Sequence, residues 1–247
     1  MSVQLIEEKL LSHFFRRVRK KYANRLLEQK KVLSGEYCGM RLPDKSIFAN
    51  FSYAQVLGTY ELFLQTIIAK NIEKYEKFID IGCGCGYYTN GVAFKYKKPT
   101  LGIDLSENEI DFAKNVSKLN ELDKYTEHFK RAANQSDIQD KAFHLIDIEG
   151  GEWELLKNLD SSKYKNAAFV VELHKTQNAD ISDLKEYVTK IFKKTHKVTF
   201  ETESPILINE QAYNEAKKIN INRKFAFMLT NEMRAYFQEW ALILPKS

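Results

Sequence analysis

The stretch that decides the fold is FIDIGCGCGYYTNG, at residues 78–91. It opens with a short apolar run that carries one acid, Asp80, and this pattern predicts a buried strand. Three glycines at alternate positions follow, Gly82, Gly84 and Gly86, and then a helix-compatible run. Glycine lets the backbone turn sharply and approach a ligand without a Cβ in the way, and the first turn of a helix offers unpaired N–H groups. The stretch therefore predicts a strand, a ligand-binding loop and a helix.

The spacing of the glycines differs from that of a dinucleotide-binding loop. The fingerprint G-x-G-x-x-G, started at Gly82, requires glycine at position 87, where this chain has tyrosine. The pattern is instead D-x-G-x-G-x-G, which resembles motif I of class I S-adenosylmethionine-dependent methyltransferases. The resemblance implies that Asp80 binds the cationic amino group of S-adenosylmethionine. It also implies that the loop lies against the amino-acid and ribose portions of this cofactor, through Gly82, Cys83, Gly84, Gly86, Tyr87 and Tyr88.

Length and composition place the chain among globular proteins with a sizeable core. It has 247 residues, of which 44% are hydrophobic and 13% aromatic, and this excludes a disordered chain. No apolar run approaches the ~20 residues of a membrane span, and charges from Glu7 onward interrupt any signal-peptide core. We therefore expect a cytoplasmic protein without a membrane span. The net charge of +5 permits an anionic partner without requiring one.

The three cysteines, Cys38, Cys83 and Cys85, are too few for a disulfide framework. Two of them lie in the glycine-rich loop, but thiolate metal sites usually bring four ligands. We expect Cys83 and Cys85 to be small residues beside a ligand, and we expect no metal site.

The N-terminal part of the chain predicts a helical cap. Apolar residues in one stripe predict a long helix over residues 3–33, and its basic cluster at residues 16–21 suits a solvated face better than contact with phosphate. A loop or short hairpin follows, and then a helix over Val56–Ile72. Glu61 on that helix either contacts the cofactor from a lid, as in many methyltransferases, or is an exposed acid. We expect a cap at residues 1–55 and a methyltransferase domain at residues 56–247.

The rest of the chain alternates helices and strands, which predicts an α/β fold. The resemblance implies a Rossmann-like, doubly wound sheet of seven strands with the last strand antiparallel. A polar excursion at residues 205–233 is expected to cover the acceptor pocket. The elements predicted after the glycines are Tyr87–Phe94, Pro99–Leu105, Ile110–Leu119, His128–Ala133, Ala168–His174, Asp180–Thr195, His196–Thr202 and Gln238–Leu244.

A second acid suits the cofactor's ribose. Asp104 lies 24 residues after Asp80, at the predicted end of the second strand, where an acid can bind ribose hydroxyls. The alternative is a helix N-cap, a role that Ser106 fills equally well. Leu105 and Ala132 are the further cofactor contacts we expect. Many class I enzymes have an acid after the third strand to bind the adenine amino group. Here Ala132-Ala133-Asn134 stands in that place, so adenine recognition is left open.

The second informative stretch is FHLIDIEGGE, at residues 143–152. A strand ends in an acid, and a turn with a second acid and two glycines leads into a helix. Because strand carboxyl ends line the ligand crevice of a doubly wound sheet, Asp147 and Glu149 are expected to face cofactor and acceptor. The arrangement D-x-E-G-x-E resembles the FkbM family of methyltransferases, which act mostly on oxygen of sugars and natural products. The resemblance covers roughly residues 56–175, and the segment between the third and fourth strands is shorter than in that family.

The catalytic residues we expect are His174, Asp147 and Glu149. His174 is the leading general base, because an unperturbed imidazole has a pKa of about 6.5. The two acids suit a base, a group that orients His174, or hydrogen-bonding groups for the acceptor. Together with Glu172 they also suit a hard cation such as Mg²⁺, although contacts to cofactor or sugar are commoner for such acids. Arg234 either pairs with an anionic acceptor or forms a surface ion pair.

These features predict an S-adenosylmethionine-dependent O-methyltransferase. The acceptor is a hydroxyl of a small molecule or glycan, with surface polysaccharide among the candidates. No Asn-Pro-Pro-Tyr follows the fourth strand and no cysteine lies near its end, which argues against methylation of a base amine or of pyrimidine C5. Nucleic acid is thus not the expected partner. Two alternatives stay open: an RNA methyltransferase guided by the basic N-terminal helix, and a catalytically idle S-adenosylmethionine-binding protein. The sequence does not indicate an oligomeric state.

Overall fold

The computed structural model describes residues 25–26, 28–43, 52–177, 179–203, 210–230 and 238–246. Most of the predicted N-terminal helix, with its basic cluster at residues 16–21, lies outside these residues. The described end of that prediction is wrong, because Lys30 has a left-handed φ of 49° and Lys31 forms an antiparallel bridge with Arg41. The bridge makes a short hairpin of a segment that partly overlaps the predicted helix.

Among the described residues are eight α-helices, three short 3₁₀ helices and seven strands. Helices α1 to α8 span Tyr53–Leu57, Leu62–Asn71, Tyr87–Tyr96, Glu107–Leu119, Glu152–Leu156, Ile181–Phe192, Glu210–Lys218 and Arg223–Thr230. Strands β1 to β7 span Lys77–Ile81, Thr100–Asp104, Thr126–Lys130, Ala142–Ile146, Ala168–Glu172, His196–Glu203 and Gln238–Pro245.

The chain divides into two compact units. The first contains residues 1–62 and 205–234, and the second contains residues 63–204 and 235–247. In the described part of the first unit, α1, α7 and α8 pack against one another. Helices α7 and α8 both come from the polar segment that we predicted as an excursion, and that segment belongs to the same unit as the N-terminal residues.

The second unit is built on one sheet with the strand order β3-β2-β1-β4-β5-β7-β6. Strands β1 to β5 are parallel, and β7 runs antiparallel between β5 and β6. This confirms the predicted Rossmann-like α/β sheet with its last strand antiparallel. The carboxyl ends of β1, β2, β4 and β5 therefore meet at one edge, where a doubly wound sheet binds its ligands.

The central strands are held by burial on both faces. All five residues of β4 and of β5 are buried, as expected for parallel strands covered by helices. Ile79, Ile146, Phe169 and Val171 are fully buried members of one apolar cluster that reaches α5, α6 and β7. This core makes the sheet edge a rigid base for the loops that carry the polar side chains.

The predicted helix over Val56–Ile72 is in fact two helices, and its continuity was wrongly predicted. Gly58 has a φ of 82° and ends α1, and a Cβ there would overlap the backbone of Ser34. Glu61, just before α2, also has a left-handed φ of 42°. Two left-handed residues within four positions cannot continue an α-helix, because that backbone region points the chain away from the helical path.

Two strand boundaries differ from the prediction. Strand β3 begins at Thr126 and ends at Lys130, because it is an edge strand whose buried and exposed residues alternate and whose apolar signal is therefore weak. Strand β5 ends at Glu172, so His174 lies in the loop beyond it. This loop is free to bring the imidazole to the end of the neighbouring strand β4.

A buried histidine on β4 makes the fold sensitive to acid. His144 is fully buried, its Nδ1 donates to the carbonyl of Ala168 at 3.0 Å, and its Nε2 accepts from the N–H of Gln139 at 3.1 Å. Burial lowers the pKa of His144 to about 4, although the Ala168 carbonyl partly opposes this effect. Protonation would also place an N–H of the ring against the N–H of Gln139. The native state therefore keeps this imidazole neutral.

We expect the unfolding free energy to fall as the pH is lowered from about 6.5 to 4. The unfolded chain binds a proton at His144 in this range and the native chain does not, so the residue contributes about 3 kcal/mol that is present above pH 6.5 and lost towards pH 4. Urea denaturation at several pH values measures the slope. His144→Gln should flatten it, leaving the parts due to His128, whose pKa burial lowers to about 4, and to His196, whose pKa burial also lowers. An unchanged slope in His144→Gln would contradict the assignment.

Candidate cofactor pocket and acceptor site

The glycine loop, Gly82–Gly86, joins β1 to α3, and two of its three left-handed glycines have no room for a side chain. Gly82 has a φ of 87° and Gly86 a φ of 75°. A Cβ on Gly82 would overlap the backbone carbonyl of Asp147, and a Cβ on Gly86 would lie 2.6 Å from the Cβ of Ala113. The loop thus packs directly against the end of β4 and against α4, with no room for side chains at these two positions.

Asp80 lies at the carboxyl end of β1 and is buried. One of its oxygens, Oδ2, accepts from the backbone N–H of Thr89 at 3.0 Å and from the Thr89 hydroxyl at 2.6 Å. The carboxylate therefore fixes the first turn of α3 behind the glycine loop. Its predicted role toward the cofactor's amino group stays a prediction.

Asp104 ends β2 and ties three segments together. Its Oδ2 accepts from the N–H of Gly84 at 2.9 Å, and its Oδ1 accepts from the N–H of Ser106 at 2.8 Å. Ser106, not Asp104, is the N-cap of α4, because its hydroxyl oxygen accepts from the N–H of Glu109. The capping alternative for Asp104 is thereby removed, and its carboxylate remains at the wall of the pocket.

A cavity of about 550 Å³ lies over the carboxyl ends of β1 to β4. Its wall includes five of the residues predicted to contact the cofactor, namely Gly82, Asp104, Leu105, Ala132 and Asp147. The side of Leu105 that faces away from the core is open, since 73% of this apolar residue is exposed. A volume of this size, with apolar walls and a few acids, suits a nucleoside-sized ligand.

The other predicted cofactor residues lie in or behind the glycine loop, or in the first unit. Cys83, Tyr87 and Tyr88 are buried. Burial, helped by the charge of Asp80 on Cys83, raises the pKa of both loop thiols, so both are protonated near neutrality. Glu61 is buried in the first unit, and its contact with the cofactor stays a prediction.

The end of the cavity next to β3 is lined by Arg131, Ala132 and Ala133. The guanidinium of Arg131 forms a two-pronged ion pair with the carboxylate of Asp137, one N···O distance being 2.7 Å. Asp137 also accepts from the N–H of Asn134 at 2.9 Å. Burial alone would raise the pKa of Asp137, but these hydrogen bonds outweigh it and lower the pKa. Asp137 is therefore paired with Arg131. It does not take the place of the acid after β3 that binds the adenine amino group in many class I enzymes.

Five residues form what we call the acid–imidazole cluster, namely Asp147, Glu149, Glu152, Glu172 and His174. Nδ1 of His174 donates to Glu152 Oε1 at 3.0 Å. Its Nε2 lies 3.5 Å from Glu149 Oε2, 3.6 Å from Glu172 Oε1 and 3.8 Å from Asp147 Oδ1. The structure thus brings together all three predicted catalytic residues. Asp147 and Glu149 also line the cofactor cavity, so the cluster adjoins it.

The acids of the cluster change the titration of its histidine. Burial alone would lower the pKa of His174, but the hydrogen bond to Glu152 and the negative charges of Glu172, Glu152 and Asp147 raise it to about 9. The expectation that this imidazole has an ordinary pKa therefore fails for the free protein. Its role in catalysis stays a prediction.

The sequence analysis did not single out Glu152, which the structure places at the centre of the cluster. Glu152 is the first residue of α5 and is completely buried. Its Oε1 accepts from the N–H of Ile148 at 3.0 Å as well as from His174. An acid in a first helical turn is usually exposed and stabilised by the helix dipole. The spacing D-x-E-G-x-E is the feature of the sequence that could have pointed to Glu152, because it places this acid about one helical turn after Glu149.

The loop between β4 and α5 holds a non-glycine residue in the left-handed region. Glu149 has a φ of 52° and precedes Gly150, whose φ is 104°. Such a conformation costs on the order of 1 kcal/mol for a residue with a Cβ, and it is commonest at functional sites. The side chain of Glu149 is 87% exposed, so the strained turn presents this carboxylate to solvent beside His174.

Arg234, the predicted partner of an anionic acceptor, lies outside the described residues.

A family model described as a methyltransferase domain matches residues 72–195, which is half of the chain. The chain belongs to this family of methyltransferase domains. The matched segment contains the glycine loop, the cofactor cavity and the acid–imidazole cluster. The protein is therefore an S-adenosylmethionine-dependent methyltransferase, and S-adenosylmethionine is its cofactor.

Solved structures share the fold of this methyltransferase at low sequence identity. The human methyltransferase 10 domain containing protein is 16% identical, with a TM-score of 0.50, covering 94% of this chain and 96% of that chain. An rRNA methylase from Streptococcus thermophilus is 8% identical, with a TM-score of 0.50, covering 74% and 96%. The METTL16 MTase domain is 17% identical, with a TM-score of 0.46, and the match spans 74% of this chain and 65% of that one. The two likenesses with a TM-score of 0.50 concern the fold alone.

No helix in the described ranges combines the length and the apolar character needed to cross a lipid bilayer. The predicted cytoplasmic location is not tested by this observation.

Binding of the cofactor should depend on the charge of Asp80. If Asp80 binds the cofactor's ammonium group, Asp80→Asn should weaken binding of S-adenosylhomocysteine about 10- to 100-fold, since a hydrogen bond to a charged group is worth about 1.5–3 kcal/mol. Calorimetric titration measures this. Thr89→Val is the matched control, because it removes one hydrogen bond to Asp80 and leaves the charge, and we expect a change of less than about threefold. Wild-type affinity in Asp80→Asn would show that the acid only holds α3.

Proposed function

We propose that this methyltransferase transfers the methyl group to a hydroxyl oxygen of a small-molecule or carbohydrate acceptor, as FkbM-like enzymes do. The observation that supports the proposal best is the position of Asp147 and Glu149. Both line the cofactor cavity and both approach Nε2 of His174 in the acid–imidazole cluster. A hydroxyl acceptor must lose a proton when it is methylated, and a cluster of bases beside the methyl donor meets that need.

The residues of the cavity suit S-adenosylmethionine. Asp80 would hold the amino group, the glycine loop would lie against the amino-acid portion, and Asp104 would accept hydrogen bonds from the ribose. The space that a Cβ on Gly82 would fill is taken by the backbone of Asp147, so the loop and the β4 end form one continuous wall. Leu105 offers an exposed apolar surface to the adenine ring.

S-adenosylmethionine supplies an electrophilic methyl group when it is bound. The protein has to hold the acceptor oxygen in line with that group, exclude water and remove one proton. Orientation of two reactants supplies about 7–11 kcal/mol in favourable cases, and a positioned base adds about 10²- to 10⁴-fold. In our proposal the rigid carboxyl edge of the sheet provides the orientation. The carboxylates of Asp147 and Glu149 are the groups that remove the proton, because His174, with its pKa raised to about 9, is protonated near neutrality and orients them.

A transfer assay with labelled S-adenosylmethionine tests the proposal. Sugar nucleotides, polysaccharide fragments and total RNA serve as separate acceptors, and Asp80→Asn is the control for the cofactor site. We expect label in a carbohydrate fraction, as a methyl ether that survives alkali. Label in RNA alone would overturn the acceptor class. Binding of S-adenosylhomocysteine without transfer to any acceptor would favour an idle cofactor-binding protein.

Methylation of RNA is the second candidate. The basic run at residues 16–21 and the net charge of +5 favour it, and the rRNA methylase from Streptococcus thermophilus shares the fold. Binding to RNA through several phosphates would weaken steeply with salt, because each neutralised phosphate releases condensed counterions. A filter-binding titration of RNA between low and high salt distinguishes this candidate. A flat salt dependence would exclude phosphate-driven binding of RNA.

A further inference from the structure

We propose that Asp147, Glu149 and His174 bind a divalent cation beside the cofactor cavity. One carboxylate oxygen of each acid and one ring nitrogen of His174 all lie within 4.8 Å of one another. They come from two loops, one after β4 and one after β5, and these strands are hydrogen-bonded neighbours in the sheet. The proposal rests on the proposed function, because it concerns the same acceptor site.

The distances from Nε2 of His174 to the two acid oxygens suit ligands of one ion better than they suit hydrogen bonds. Nε2 of His174 is 3.5 Å from Glu149 Oε2 and 3.8 Å from Asp147 Oδ1, beyond the usual N–H···O range of about 2.7–3.2 Å. Adjacent ligands of an octahedral ion lie about 3.0–3.3 Å apart when the ion–ligand distance is about 2.1–2.3 Å. A shift of a few tenths of an ångström would bring each acid oxygen to that spacing from Nε2 of His174. The side chain of Glu149 is exposed, so it has room for such a shift.

A buried carboxylate next to the set points independently to a cation. Glu152 is completely buried, and its Oε1 holds Nδ1 of His174 at 3.0 Å. Its other oxygen, Oε2, has no hydrogen-bond partner among the described residues. An unmatched oxygen of a buried carboxylate is unfavourable unless positive charge lies nearby. A cation bound to the neutral imidazole would supply that charge, as the proton on His174 does in the free protein. The hydrogen bond to Nδ1 also leaves Nε2 as the ligand nitrogen, the arrangement in which a carboxylate orients a metal-bound histidine.

The ligand types favour Mn²⁺. Carboxylate oxygens suit Mg²⁺, Ca²⁺ and Mn²⁺, whereas imidazole suits transition metals, and Mn²⁺ accepts both kinds of ligand. Three protein atoms leave about three positions of an octahedral ion for water or acceptor oxygens. A cation there would hold the acceptor hydroxyl and lower its pKa, so that an acid of the cluster could remove the proton near neutrality.

Direct titration of Mn²⁺ tests the site in the whole chain. The protein is freed of metal with a chelator, and the electron paramagnetic resonance signal of free Mn²⁺ is followed as MnCl₂ is added. We expect one site, weakened at least tenfold in Asp147→Asn and in Glu149→Gln. Glu76→Gln is the matched control, because Glu76 is an exposed acid just before β1, at the opposite edge of the sheet. Its affinity should equal that of the wild type.

The outcomes separate this inference from the proposed function. No binding of Mn²⁺ at millimolar concentration, or equal binding by wild type and both cluster variants, would overturn the cation site. Binding that is lost in the cluster variants alone would support it, even if no hydroxyl acceptor is ever methylated. Conversely, methylation of a hydroxyl that persists in EDTA would keep the proposed function and remove the cation from it.

Discussion

Replacing Gly82 with alanine should lower the unfolding free energy by about 2–5 kcal/mol and weaken cofactor binding at least 100-fold. An alanine at a left-handed φ costs about 1–2 kcal/mol, and forcing an extra carbon into a packed site typically adds 1–3 kcal/mol. The φ of Gly82 is 87°, and the new Cβ would overlap the Asp147 carbonyl and lie 2.7 Å from its carbonyl carbon. The β4 end would have to move, and with it the wall of the cofactor cavity.

Gly84→Ala is the matched control for this prediction. Gly84 is also left-handed, with a φ of 47°, but a Cβ there would meet no atom within 4 Å. We expect a loss of about 1–2 kcal/mol of unfolding free energy from the backbone conformation alone. Urea denaturation and calorimetric titration with S-adenosylhomocysteine compare the two variants. Equal losses of unfolding free energy and of affinity in both variants would show that the contact between the glycine loop and the β4 end contributes nothing to either.

Replacing His174 with alanine should reduce kcat/KM about 10²- to 10⁴-fold on the acceptor that the transfer assay identifies. The residue contacts Asp147, Glu149, Glu152 and Glu172, so every proposed route for the hydroxyl proton passes through its surroundings. A positioned acid–base group is commonly worth a factor of this size. Affinity for S-adenosylhomocysteine should change less than about threefold, because all the predicted cofactor contacts except Asp147 lie away from His174.

Lys175→Ala controls for a change in the same loop. Lys175 is 71% exposed and pairs only with Asp180 in the described ion pairs, so its loss should leave kcat/KM within about twofold. Steady-state kinetics with both substrates separate the two variants, and denaturation curves verify that each is folded. Full activity in His174→Ala would remove this residue from the chemistry and leave the acids alone.

The sequence predicted the sheet well because its signals are local. The central strands β1, β4 and β5 are short apolar runs that end in acids, and only a covered parallel sheet buries such runs on both faces. The glycine pattern after β1 placed the loop, and the matched family confirms the methyltransferase assignment. Asp147, Glu149 and His174 were predicted because each follows the end of such a strand.

The parts that sequence reasoning missed depend on contacts between distant residues. The break at Glu61 has only one local signal, Gly58, which by itself is compatible with a helix. The burial of Glu152 follows from the position of His174, which lies 22 residues further along the chain. The raised pKa of His174 follows from the convergence of acids that belong to three separate segments. Such effects appear only once the strands are arranged side by side.

The position of β7 in the sheet has a consequence for synthesis on the ribosome. Among the described strands, β6 is hydrogen-bonded to β7 alone, and β7 joins β6 to β5. While translation has not yet reached residue 238, a nascent chain carries β6 with no neighbour and β5 with one bare edge. Unpaired strand edges can pair with other chains, so the nascent chain is prone to aggregation until β7 has been synthesised.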